Sequence, residues 1–107
     1  MSIYRLVLTT VGKKREGERL ATALVSKKLA ACVQVLGPIR SFYTWKKKFC
    51  RDQEFLLLIK TTARRVKALE KALHQMHPYE LPEFVILPIV GGSHRYLEWL
   101  NSQTTGR

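Results

Sequence analysis

His77-Pro78-Tyr79-Glu80-Leu81-Pro82-Glu83 gathers an imidazole, a phenol and two carboxylates around two prolines. Each proline fixes its own φ and biases the residue before it toward extended geometry. The segment is therefore predicted to be a stiff, non-helical link that presents its polar groups in a set arrangement. It leaves a helix read from about Ala63 or Arg65 to Met76, in which Val66, Leu69, Leu73 and Met76 recur at helical spacing. It enters a strand predicted over Glu83 to Val90. Rigid loops between such elements are favoured places for binding groups.

Working outward, Glu54 to Thr61 reads as a strand, preceded by a turn at Cys50-Arg51-Asp52. Ala31 to Leu36 reads as another strand, interrupted at Gly37-Pro38, with extended chain from Ile39 to Phe49. Between Glu16 and Leu29 the period is helical: Leu20, Leu24 and Lys28 form one row, with Ala21, Val25 and Leu29 beside it. Ile3 to Thr10 is a strand by composition. Gly91-Gly92 breaks the chain, and Ser93 can cap a short last helix that buries Leu97 and Leu100. The order is β-α-β-β-α-β plus a terminal helix, an α+β chain of the ferredoxin-like, split βαβ type. It is read as one domain over residues 1–107, with 101–107 as a frayed tail.

Two strands disagree with a sheet that is open on one face. Phe55-Leu56-Leu57-Leu58-Ile59 and Phe84-Val85-Ile86-Leu87 show no polar alternation, so both of their faces require burial. One short helix cannot cover the second face, and the pattern predicts an oligomer. The extended arm Val33 to Phe49 is the candidate for pairing with a neighbouring chain. Tyr43 and Trp45 are its aromatic anchors at that interface.

Composition narrows the function. The chain carries 19 Lys and Arg against 8 Asp and Glu, a net charge of +11, clustered at Lys13-Lys14-Arg15, Lys27-Lys28, Lys46-Lys47-Lys48 and Arg64-Arg65 with Lys67. Such a charge suits either a solvated surface or an anionic partner. There is no apolar run of about 18 residues and no signal-peptide pattern, so no membrane partner is expected. Cys32 and Cys50 make no disulfide framework, which points to a reduced, cytoplasmic protein.

Motifs in order carry a resemblance. Leu29-Ala30-Ala31-Cys32-Val33, Ile39-Arg40-Ser41-Phe42-Tyr43-Thr44-Trp45, Lys60-Thr61-Thr62, the His77 to Glu83 segment and Tyr96-Leu97-Glu98-Trp99-Leu100 together resemble the CutA family of divalent-cation tolerance proteins. The likeness runs from about Leu6 to about Leu100. It implies a homotrimer, and a non-enzymatic role in metal homeostasis through binding of divalent cations such as copper or zinc near the His77 segment. Family members credited with copper sites can carry a cysteine late in the first strand and a histidine just before the motif. Here those places hold Thr9 and Met76. Where the family commonly has an acidic stretch and a glycine after the tryptophan, this chain has Lys46-Lys47-Lys48.

His77 is the first candidate metal ligand, through a neutral imidazole. Glu83 is the second and Cys32 the third, as a soft ligand if its helix-to-strand junction lines a pocket. The bland alternatives are that His77 and Tyr79 only hydrogen-bond the turn and that Cys32 is a buried thiol. A pocket of Lys60, Tyr79 and Glu80 at a subunit boundary would suit a small anionic ligand, as in the architecturally similar PII signalling trimers. No phosphate loop and no nucleophile–base motif is present, so neither an organic cofactor nor an enzyme is expected. A third reading is a basic nucleic-acid-associated protein. The apolar central strands lack the exposed aromatics of an RNA-recognition sheet, which leaves weak, sequence-independent polyanion binding.

Overall fold

The computed structural model describes residues 2–105. The elements run β1 (Tyr4–Val11), α1 (Lys14–Ser26), β2 (Cys32–Trp45), β3 (Lys48–Thr62), a short 3-10 turn (Ala63–Arg65), α2 (Val66–Met76), β4 (Val85–Pro88) and α3 (His94–Ser102). The sheet is antiparallel in the order β2-β3-β1-β4. This is the split βαβ order expected from the sequence. The core lies between the sheet and α1 and α2. Leu20 and Leu24 of α1 and Leu69 and Leu73 of α2 pack on Val7 and Val11 of β1 and Leu57 and Ile59 of β3. Hydrophobic burial of this kind is the main stabilising term.

The β2–β3 hairpin differs from the sequence expectation. Cys50, Arg51 and Asp52 form no turn; they lie in the ladder opposite Tyr43, Phe42 and Ser41. The turn is at Lys46-Lys47, closed by the Trp45–Lys48 pair, and both lysines have positive φ, 52° and 67°. Positive φ at both central residues is the two-residue turn that suits strand twist, usually made by Asn-Gly. Two lysines carry none of that signal, so the turn was invisible in composition. Gly37-Pro38 does not end β2 either. The register slips between Leu36 and Ile39, and Gly37 sits at φ 152° where a Cβ would stand 2.8 Å from the Phe55 ring. The extended arm thus pairs along its inner edge with its own chain's β3, while β2 remains the outermost strand on that side.

Two boundaries are also corrected. β4 is Val85–Pro88, not Glu83 to Val90. Pro82 and Pro88 lack the N–H that a longer ladder needs. The residues from 101 are not frayed as far as they are described. Thr104 is fully buried, its hydroxyl 3.2 Å from that of Thr62 and 3.2 Å from the Leu100 carbonyl. Gly106 and Arg107 lie outside the described residues.

On the second face of the sheet, α3 buries Leu100 and sets Tyr96 under the Lys60 ammonium, 5.6 Å from its ring centre. Beyond that helix, Val85, Ile86 and Leu87 of β4 stay exposed, as do Phe42 and Phe49 of the hairpin.

The hairpin turn yields a direct test. Replacing Lys46→Asn and Lys47→Gly fits the left-handed backbone and should raise stability by about 1 kcal/mol per residue. Denaturant unfolding checks this, and an unchanged or lowered midpoint would contradict the turn geometry.

Candidate functional site

Pro78 ends α2. It holds His77 in extended geometry, φ −73° and ψ 134°, while the His77 amide still donates to the Leu73 carbonyl at 2.8 Å. The buried His77 ring then faces β1. Its Nε2 is 2.7 Å from the Thr10 carbonyl, and its Nδ1 is 3.1 Å from the Tyr79 amide. That amide can only donate, so Nδ1 accepts and the ring proton sits on Nε2, donating to Thr10. The ring is held neutral: burial pushes its pKa below the ordinary histidine value, against the opposing pull of the Thr10 bond. The Tyr79 ring packs on it at 4.8 Å between centres.

Tyr79 carries the arrangement further. Its hydroxyl donates to Glu54 Oε2 at 2.7 Å, and Gly12 leaves it room, since a Cβ there would stand 3.3 Å from the phenol oxygen. Burial, and then the bond to Glu54, push the phenol pKa up. Glu54 is itself buried on β3. Across the hairpin, Tyr43 donates to Asp52, which with other nearby negative charge raises its pKa to about 12. Glu83 is pushed above the usual carboxylate range by burial first and by the Glu54 charge second. Glu80 meets Lys46 at 3.6 Å on the surface, an exposed pair of small energetic weight.

These groups surround one cavity of about 910 Å³, between the end of the hairpin and the segment after α2. Phe42, Tyr43, Trp45 and Tyr79 supply aromatic walls, and Asp52, Glu54, Glu80 and Glu83 supply carboxylates. Of these carboxylates, Glu83 is the one whose charged form is disfavoured by burial and by a neighbouring carboxylate, that of Glu54.

The structure sorts the expected site residues. Tyr79, Glu80 and Glu83 share the cavity, and so do Tyr43 and Trp45. His77 stands behind them with both ring nitrogens engaged by backbone, so it is not the open metal ligand expected from the sequence. Cys32 begins β2 opposite Lys60. From Glu54 to Lys60 is about 20 Å of strand at ~3.3 Å per residue. Lys60 and Cys32 therefore stand away from the cavity, and one chain forms neither the Lys60–Tyr79–Glu80 pocket nor a His77–Cys32 pair. Met76 packs against the core and Thr9 is buried. Among the described residues, no three His, Cys, Asp or Glu side chains are grouped closely enough to hold a metal ion. Asp52 and Glu54 were missed from sequence. The signal for Glu54 was its place at the head of an apolar strand, on the face shared by Leu56 and Leu58.

The His77 clamp makes a pH prediction. A lowered folded pKa means this contribution to stability is fully present above ~6.5 and is lost as pH falls toward the folded value. His77→Ala should destabilise the fold by about 1–3 kcal/mol at neutral pH and remove that step from the stability–pH profile. Urea midpoints between pH 5 and 8 measure both, and a variant that keeps the step would contradict the assignment.

A family model described as CutA1 divalent ion tolerance protein matches residues 5–103. The chain is 42% identical over 99 residues to the chloroplastic protein CutA of Arabidopsis thaliana, covering 92% of this chain and 54% of that protein. It is 41% identical over 99 residues to the divalent-cation tolerance protein CutA of Thermus thermophilus, covering 92% and 96%. The chain thus spans about half the length of the plant relatives and nearly all of the bacterial one. The crystal structure of CutA1 from Oryza sativa superposes with a TM-score of 0.94 at 41% identity, covering 99% of this chain and 98% of that one. The Thermus thermophilus structure gives 0.92 at 40% identity, with 94% and 98% covered.

Proposed function

Because the chain belongs to the CutA1 divalent ion tolerance family, we propose that it serves divalent-cation tolerance as a non-enzymatic, homotrimeric binder of the ion. The ligands in this reading are Glu83 and Glu80, with Asp52 and Glu54 supplying charge and His77 positioning the segment. The observation that carries it is the gathering of those four carboxylates, half of the 8 acidic residues of a chain with 19 basic ones, around one cavity. Elsewhere the field of a +11 chain repels cations. A divalent ion in the cavity would offset both the burial and the Glu54 charge that disfavour ionised Glu83. Carboxylate oxygens suit zinc or copper(II) better than soft copper(I).

The donors line the cavity without converging within one chain, so this reading completes the site at a subunit boundary. The exposed apolar surface of Val85, Ile86, Leu87 and Leu81 supports an oligomer. Tyr43 and Trp45, exposed beside the cavity, are assigned to the trimer interface. Free thiols at Cys32 and Cys50 suit a reducing cytoplasm, and among the described residues no helix is long and apolar enough to cross a membrane.

Calorimetric titration of metal-stripped protein with zinc and copper(II) tests the reading. Wild type should bind saturably, and Glu83→Gln should weaken binding at least about tenfold, a loss of ~1.4 kcal/mol. Affinity should also fall with pH as Glu83 takes up a proton, earlier than for an ordinary glutamate because its pKa is raised. Binding indifferent to Glu83→Gln and Glu80→Gln together would remove the cavity as the site.

A further inference from the structure

With four of the chain's 8 carboxylates at the cavity, the helical layer keeps a net basic charge. The cavity takes its lining from the strands and from the segment after α2. In the helical layer, α1 carries Lys14, Arg15 and Arg19 and is followed by Lys27 and Lys28, and Arg65 of the 3-10 turn precedes Lys67 of α2. Glu16, Glu18 and Glu70 are the acids among them. Two basic runs distant in sequence are fastened into one patch. The Arg65 guanidinium donates from Nε to the Lys28 carbonyl at 3.1 Å and from Nη2 to the Lys27 carbonyl at 3.4 Å. Arg64 is not part of this patch, because its guanidinium donates at 2.9 Å to the Asn101 side chain of α3.

We propose that this helical layer is a docking surface for the phosphate backbone of a nucleic-acid duplex, bound without sequence preference. Charge complementarity is the first argument, since Lys and Arg that neutralise phosphates release condensed counterions. The second is shape and spacing. The 13 residues of α1 extend about 20 Å, enough for its cations to meet successive phosphates along a duplex. The third is what the patch omits. Exposed aromatic side chains lie on the hairpin, on α3 and at Tyr79, not on α1 or α2, so the surface offers phosphate contacts rather than base stacking. A bilayer is the weaker partner. Both helices turn their leucines into the core, and Val25 is the one large exposed apolar side chain they carry, whereas an interfacial helix needs a free apolar face. The inference is independent of the cation site, because it uses none of the cavity residues.

The test is fluorescence anisotropy of the full chain with two labelled duplexes of unrelated sequence, across a salt series from about 25 to 200 mM. The expected result is equal affinity for both duplexes, falling steeply with salt at a log–log slope near −4, for about four to five neutralised phosphates. Lys27→Glu, Lys28→Glu and Lys67→Glu combined should lower affinity more than tenfold and flatten the slope by about three. The milder pair Lys27→Gln with Lys67→Gln should give a smaller loss in the same direction, and circular dichroism melting confirms that each variant is folded. Reversing Lys46, Lys47 and Lys48 at the hairpin turn should have the lesser effect. The proposal is overturned by no association at low salt, by a hairpin effect equal to or larger than the helical one, by strong preference for one duplex, or by binding to phosphatidylserine vesicles and not to DNA.

Discussion

The His77 ring joins two distant pieces of backbone, donating to the Thr10 carbonyl 67 residues before it and accepting from the Tyr79 amide just after it. The arrangement of the cavity depends on this bridge. It requires a neutral ring with its proton on Nε2, and burial supplies that state by penalising the charged form. Pro78 makes the bridge geometrically possible by ending α2 and holding His77 extended. Once the ring is seated, Tyr79 is aimed at Glu54, and the remainder of the segment passes along the cavity rim to Glu83. Satisfying two backbone groups, one of them buried, with one side chain also anchors a link that has few ladder bonds of its own.

Electrostatics then divide the molecule. A chain of net charge +11 gathers half of its carboxylates about one cavity and leaves its helical layer basic. Burial first, and the nearby Glu54 charge second, raise the proton affinity of Glu83. In the proposed function a cation takes the place of that proton. Phe42, Tyr43 and Trp45 line the same cavity while remaining exposed. The exposed apolar surface of β4 belongs to the same picture, because a sheet with both faces apolar is incomplete as a single layer.

Much of this was legible in the residues. The helical periods of Leu20 and Leu24, and of Leu69 and Leu73, place both helices, and the unbroken apolar run at Phe55 to Ile59 marks the central strand beneath them. The Pro-bounded segment from His77 to Glu83 was legible as a rigid carrier of polar groups. Its chemistry was harder to read, because whether an imidazole is an open ligand or a clamp depends on Thr10, which is remote in sequence. Lys46-Lys47 hides a turn normally announced by Asn-Gly, since strand pairing on both sides imposes the left-handed backbone that lysine does not prefer. Glu54 was hidden for a related reason. A carboxylate at a strand end reads as solvent-facing until the Tyr79 phenol is seen to cover it. Lys60 and Cys32 fall together because the β2–β3 register pairs them, and that register is set by the hairpin turn.

The most direct measurement is ¹⁵N NMR of the His77 imidazole in the full chain at neutral pH, before and after zinc is added. The account predicts a neutral ring with hydrogen on Nε2 in both states, with zinc perturbing the carboxylates and leaving the ring's tautomer in place. A ring protonated on Nδ1, or one that loses its Nε2 hydrogen and takes on a metal-bound nitrogen shift when zinc arrives, would contradict it.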